Sequence, residues 1–386
     1  MERWDLVVVG AGPAGSAAAL GALRADPGLR VLLLDRSDFP RDKSCGDGIA
    51  PHVVDALASV GAGDVVDGWT PLRRLELSRD VAAVRRTMPR SVLVIPRQEL
   101  DARLVAHAVR AGAQLRRHRV REVQVRPDGV LLDGCHLGRV VVGADGAQSV
   151  IRAKAGAPPV RRRAIALRGY APTQQRHRGS QVIVFGHRRQ PSYAWSFDRG
   201  DGLANVGYGE LLDGHAGQEG PSRQLLLDEL EALIPGTART GHSWRGHHLP
   251  LSQGRWHQPD GPVLLTGDAA GLVNPMTGEG IYYAVASGIL AGRTAAAPEV
   301  RAEPHTAGRR HRTAVRRLLG RHLRHTWAGS RLAQLPAALD AGFAAASGDQ
   351  RVFDDLVEIG LGKGLVTPRL AGRLAVNLVL RPHVFP

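Results

Sequence analysis

Cysteine is nearly absent from this chain: Cys45 and Cys135 are the only two in 386 residues. A disulfide framework is therefore excluded, and one fortuitous bridge is the most that could form. Aromatic residues are also scarce, at 4%. No basic stripe is interleaved with stacking aromatics, so no nucleic-acid partner is expected. Lysine occurs only at positions 43, 154 and 363, and the other 48 basic residues are arginine. With abundant Ala, Gly and Val, that skew reads as the codon bias of a GC-rich bacterial genome. The arginines are spread along the chain, and the net charge of +15 reads first as a solvated basic surface. It also suits an anionic membrane or a phosphorylated ligand. No apolar run is long enough to cross a bilayer. The run Leu6–Val9 is too short for a signal peptide and leads into a glycine motif that cleavage would remove. A reducing, cytoplasmic location is expected.

The chain is 43% hydrophobic and 23% charged, enough for a sizeable core. Its length suits two domains or one core with a large insertion. Leu6–Val9 reads as a buried parallel strand, Ser16–Leu23 as a helix and Arg30–Leu34 as a second strand, a βαβ opening. Pro51–Val60 and Gln98–Ala111 read as helices, and Leu72–Ser78 and Ser91–Ile95 as strands. Val120–Val125 and Gly129–Leu132 flank a Pro-Asp-Gly turn as a hairpin. Arg139–Val142 is another buried strand. From Arg162 to Gly209 the pattern is all β, in four strands. Leu225–Leu233 is a short helix, Val263–Leu265 a buried strand and Gly280–Arg293 a helix. From Pro298 onward the chain reads as mostly helical.

Gly10-Ala11-Gly12-Pro13-Ala14-Gly15 follows a strand and opens a helix, with Asp35 ending the next strand. The first glycine permits the turn, the second lets the backbone approach a pyrophosphate, and the third lets helix and strand pack closely. Helix N-terminal amides then face the negative charge. Val141–Gly146 and Leu264–Gly271 are two further strands, ending in Asp145 and in Gly267-Asp268. An Asp there accepts from a ribose or ribitol hydroxyl, or simply caps a helix. The histidines show no metal-like spacing, so no metal site is expected. Cys135, in a hairpin, is expected to be inert.

These three motifs, in this order over roughly the first 295 residues, resemble the FAD-dependent oxidoreductases of the p-hydroxybenzoate hydroxylase fold. Three further passages resemble the geranylgeranyl reductase family within that group: Phe39–Gly48 with its Cys-Gly-Asp-Gly, Tyr193-Ala194-Trp195-Ser196-Phe197 with Asn205-Val206-Gly207, and Asn274–Ile281. The chain departs from that family at Asp198, where proline is usual. The resemblance implies a Rossmann-like α/β FAD domain assembled from residues 1–72, 97–155 and 258–296. It also implies an antiparallel β-sheet substrate domain from 73–96 and 156–257, followed by a helical region at 297–386. FAD would be bound non-covalently. Gly10, Gly12, Ala14 and Gly15 would hold its pyrophosphate, Asp35 with neighbouring Arg36 the adenosine ribose, and Arg97 a phosphate. Val120 would meet the adenine, and Asp145, Gly267 and Asp268 the ribitol and pyrophosphate region. Gly280 and Ile281 would lie under the isoalloxazine. Cys45 and Gly46 would border the substrate side of the flavin, where Cys45 is either a working thiol or a packing residue. Tyr193 and Trp195, two apart on a strand, share a face and would wall the substrate cavity or pack the sheet.

Three reactions are open to such a protein: reduction of a C=C bond, aromatic hydroxylation as a monooxygenase, and halogenation. A tailoring or purely structural flavoprotein is a fourth reading. The second tryptophan of the halogenase loop is missing. Reduction of an isoprenoid or related hydrophobic substrate leads, on the Cys45 and Asn274–Ile281 loops. NAD(P)H or a reduced carrier would supply electrons, although no second Rossmann unit binds a nicotinamide. For a lipid-borne substrate, the basic C-terminal helices and Leu374–Leu380 are expected to lie on an anionic membrane surface. Oligomeric state is open.

Overall fold

Near-continuous apolar runs make strands whose two faces are both covered by helices, and the nucleotide-type sheet is built from them. The computed structural model describes residues 1–212, 220–254 and 256–380. In it β1 (Glu2–Val9) and β2 (Val31–Asp35) pair in parallel, with Leu6 opposite Val31. β6 (Gln114–Arg117) adds beyond β2, and β9 (His136–Gly143) lies on the other side of β1. Two neighbours share β9. β15 (Val263–Leu265) runs parallel to its C-terminal half, while the hairpin of β7 (Val123–Arg126) and β8 (Gly129–Leu132) runs antiparallel to its start.

The helices covering this sheet are α1 (Pro13–Ala25), α2 (Pro51–Ala58), α3 (Arg97–Arg110), α4 (Val150–Lys154) and α7 (Ile281–Ala296). Helices α1 and α7 are so close that a Cβ on Gly292 would lie 2.0 Å from the Ala18 carbonyl oxygen, and one on Gly288 2.2 Å from that of Ala14. Only hydrogen fits at these two positions. The contact brings the N-termini of both helices to the same end of the sheet.

The second sheet has eight strands: β3 (Gly48–Ile49), β4 (Leu72–Arg79), β5 (Ala82–Val94), β10 (Arg163–Pro172), β11 (Ser180–Phe185), β12 (Tyr193–Asp198), β13 (Leu203–Leu211) and β14 (His242–Pro250). Their order is β14-β10-β13-β12-β11-β4-β5-β3. The β11–β4 pair is parallel and the others are antiparallel. Beside it pack α5 (Arg223–Leu233) and α6 (Thr237–Thr240). The last part of the described chain is helical: α8 (Pro298–Ala302), α9 (Ala307–Leu332), α10 (Pro336–Gly348), α11 (Gln350–Leu361) and α12 (Pro368–Leu380).

The mixed α/β class and the all-β middle match the expectation from sequence. Several strands differ. β5 begins nine residues before the expected Ser91, because its first half alternates arginines with Val84 and Met88 rather than forming an apolar run. β3, β14 and β6 carried no expectation; β3 is two residues long, and β14 and β6 are mostly exposed edge strands that end their sheets. In β14, His247 is half-buried and His248 exposed.

Candidate active site

A cavity of about 1330 Å³ lies between the two sheets and the C-terminal helices. That exceeds the roughly 300–1,000 Å³ of ordinary small-ligand pockets, so it has room for a nucleotide cofactor and a second large molecule.

Its nucleotide end is the β1–α1 turn. A Cβ on Gly15 would lie 1.7 Å from the Gly10 carbonyl oxygen, and Gly10 itself sits at φ +98°. The open cradle above Gly12 is faced by two guanidiniums, with Arg41 and Arg97 Nη2 atoms 3.5 and 3.7 Å from where a Gly12 Cβ would be. Asp101 organises both. Its Oδ1 accepts from Arg97 Nε at 2.7 Å, and its Oδ2 lies 3.1 Å from Arg41 Nη1. Glycine cradle, helix N-terminus and paired arginines together fit a pyrophosphate. Arg41 had no role expected from the sequence. Asp35 lines the cavity with both oxygens anchored, accepting from the Ala11 amide (2.9 Å) and the Ser37 amide (2.9 Å). Arg36 and the buried Val120 border the same end.

Of the other expected residues, Gly15 and Gly267 lie behind the lining, while Asp145, Asp268, Gly280 and Ile281 reach it. The two aspartates differ. Asp145 is committed to α4, accepting from Ser149 Oγ (2.5 Å) and the Val150 amide (2.7 Å). Asp268 faces Lys43 at 3.3 Å. Burial would raise the Asp268 carboxyl, but Lys43 and neighbouring His247 outweigh it and hold it below the usual range.

The Cys45 loop is strapped to the second sheet. Asn205 Nδ2 donates to the Cys45 carbonyl oxygen (2.9 Å) and to Asp47 Oδ2 (2.8 Å), while its Oδ1 accepts from Trp195 Nε1 (2.8 Å). Tyr170 also donates to Asp47 Oδ2, at 2.7 Å. Burial pushes the Asp47 carboxyl up to about 6, against the pull of these donors and Arg168. Burial likewise raises the Cys45 thiol, with Arg97 opposing, so the thiol is neutral at pH 7. Gly46 lies against Phe197 and Trp195.

Tyr193 and Trp195 do share a face, ring centroids 6.0 Å apart, in a row that continues to Phe185 and Phe197. Opposite them is a residue that sequence reasoning passed over. Glu279 lines the cavity just before α7, its Oε1 accepting from the Tyr282 amide at 2.8 Å. Withdrawal from water pushes its carboxyl up to about 7. Tyr193 donates to the Thr277 carbonyl oxygen at 2.5 Å.

The C-terminal helices, which matched no motif, close the cavity. Asn274 Nδ2 donates to the Ile359 carbonyl oxygen (2.9 Å) and Thr277 Oγ1 to that of Gly360 (2.8 Å), tying the 274–281 loop to α11. Phe343, Phe353, Leu370 and Leu374 line the cavity from this side.

One further grouping lies outside the cavity's main body. His118, Cys135 and His136 each place a ligand-type atom within 4.8 Å of the other two. This corrects the expectation that the histidines form no metal-like cluster. Cys135 and His136 are neighbours in the chain, and His118 reaches them from the loop after β6.

The model of the FAD binding domain family matches residues 3–173. Over 321 residues the chain is 35% identical to a menaquinone reductase of Mycolicibacterium smegmatis, covering 75% of each protein. It is 33% identical to a digeranylgeranylglycerophospholipid reductase of Methanopyrus kandleri, covering 76% of this chain and 80% of that one. The chain belongs to the geranylgeranyl reductase family of FAD-dependent oxidoreductases. The fold agrees: a geranylgeranyl bacteriochlorophyll reductase-like protein of Thermoplasma acidophilum superposes with a TM-score of 0.75 over 97% of this chain and 96% of that one, at 19% identity. The glycine cradle and its paired arginines fit the FAD of this family. No described helix is long and apolar enough to cross a membrane.

Proposed function

We propose that this protein saturates a C=C bond in the polyprenyl chain of a membrane lipid or quinone, with electrons from NAD(P)H or a reduced carrier. The observation that carries this reading is the cavity beyond the Cys45 loop. There an aromatic row on β11 and β12 faces apolar side chains of α10, α11 and α12. Such a slot suits a flexible hydrocarbon chain. The menaquinone and archaeal lipid reductases named above support the substrate class.

Bound reduced flavin would supply hydride to one alkene carbon. The other carbon needs a proton, and the chain's residues differ in fitness to give it. Burial lifts the Tyr193 hydroxyl far above neutral, and that hydroxyl is already spent on Thr277. The Cys45 thiol is raised as well. Glu279, at about 7, is part protonated at neutral pH, the condition a general acid needs. We assign it that role, with Cys45, Tyr193 and Trp195 shaping the space over the flavin. Arg41, Arg97 and Lys43 hold phosphates and flavin edge.

The cavity's outer lining includes Arg324, Leu332, Val366 and Leu378, and this basic, apolar mouth is proposed to take its substrate from a membrane surface.

The test is anaerobic. Dithionite-reduced enzyme is mixed with menaquinone or geranylgeranyl lipids in detergent, and products are analysed by mass spectrometry. The expected product has gained two hydrogens while the flavin reoxidises. A hydroxylated product formed only when oxygen is admitted would replace this reading with a monooxygenase.

A further inference from the structure

Beside the adenosine end of the cavity, two segments bring two imidazoles and a thiol together. His118 follows β6, Cys135 sits in the turn between β8 and β9, and His136 opens β9. Their rings and thiol converge, with the two imidazoles edge-on at 5.3 Å. His118 is held from behind. Its Nε2 pairs with Asp133 Oδ2 at 2.6 Å, and Asp133 Oδ1 in turn accepts from the amides of Arg121 (3.0 Å) and Glu122 (2.7 Å). A carboxylate on one ring nitrogen fixes the tautomer and leaves the other nitrogen's lone pair free, as behind metal-bound histidines. His136 is only 7% exposed, and its Nδ1 has no hydrogen-bond partner. The nearest acidic oxygen is Glu2 Oε2, 3.6 Å away. The Cys135 thiol makes a long contact of 3.7 Å to the Leu132 carbonyl oxygen.

We propose that His118, Cys135 and His136 form a site for a zinc-class divalent cation. Two imidazoles and a thiolate suit a borderline-soft ion, with water in the fourth position. Ligand bonds of about 2.0–2.3 Å require the three donors to close in from their present separation. His118, in a loop, and Cys135, in a turn, do this by rotating toward His136 at the start of β9. On binding, the cation takes the place of the Cys135 thiol proton, which goes to solvent. The effect is a clamp: the 118–122 segment, with Val120 and Arg119 on the cavity wall, is tied to the start of β9. The site is independent of the reaction catalysed.

The test uses the FAD-loaded protein, treated with chelator and then dialysed against zinc. One equivalent of zinc per chain is expected by plasma emission. Cobalt substitution should add a near-ultraviolet thiolate charge-transfer band. Cys135→Ser should abolish that band, whereas Cys45→Ser should keep it. His118→Ala, at a half-buried loop position, should weaken zinc at least tenfold in competition with a chromogenic chelator. Failure to retain stoichiometric zinc would overturn the proposal. So would parent-like retention in both Cys135→Ser and His118→Ala, since the metal would then sit elsewhere.

Discussion

Glu279 and Tyr193 border the same cavity, yet burial sends one to a useful pKa and the other out of range. A general acid must be protonated to act, so single-turnover reoxidation by substrate should fall as pH rises through about 7. Glu279→Gln should retain FAD, slow that step by about 100-fold and flatten its pH profile; stopped-flow absorbance of the pre-reduced enzyme measures both. A full-speed Glu279→Gln enzyme would remove the assignment. The same raised pKa makes a stability statement. Ionisation is harder in the folded state, so the stability linked to this group is complete below the ordinary 4.5 and is lost as pH rises through about 7. The two aspartates of the later motifs separate in a different way. Asp268→Ala strips Lys43 of its partner on the cavity wall and should lower FAD occupancy of the purified protein. Asp145→Ala removes the acceptor at the start of α4 and should cost about 1–2 kcal/mol of stability with occupancy kept. Equal occupancy in the two variants would contradict this division.

Elements were legible where one residue type repeats with one period, and illegible where the structure depends on what lies across from them. β1, β2, β9 and β15 are runs of Val and Leu buried on both faces, and the runs alone place them. β5 and β14 carry arginines and histidines on exposed faces, so alternation was masked. The glycine cradle is local and was readable; Arg41 and Glu279 acquire their roles only when distant segments close over them. The final helices had no motif to read because an apolar cavity wall asks only for suitable volume. Asn205 joins two elements in this way, linking the Cys45 loop to β12 and β13. Asn205→Ala would leave the Trp195 indole N–H and the buried Asp47 carboxylate short of partners, at about 2–3 kcal/mol. Asp47 titrates near 6 in the fold against 3.8 ordinarily, so its linked stability is lost as pH rises through about 6. Removing a donor to its charged form lifts it further. Urea unfolding should therefore show a larger penalty at pH 8 than at pH 5, and an equal penalty would mean Asn205 does not hold Asp47.

At the scale of the molecule, exposed apolar surface is unevenly placed. Of the twelve large hydrophobic side chains exposed among the described residues, seven lie between Trp327 and Val379, and three of these, Leu332, Val366 and Leu378, line the cavity. Arg324, Arg331, Arg369 and Arg373 are exposed on the same helices, within a chain of net charge +15. An apolar rim set among arginines is what inserts shallowly into an anionic bilayer, each basic residue near the surface contributing about 1 kcal/mol. The protein should therefore sediment with phosphatidylglycerol vesicles and only weakly with phosphatidylcholine vesicles. Added salt should weaken the first interaction by screening without abolishing it, because the apolar part is not screened. Val376 and Val379, 47% and 75% exposed, contribute to that part. Replacing both with glutamate removes apolar contact and adds two repelled charges, so vesicle affinity should fall by about tenfold to a hundredfold. Bound FAD should stay unchanged. If the double variant sediments like its parent, or if both lipids are bound equally, the mouth does not face a membrane and the substrate must reach it by another carrier.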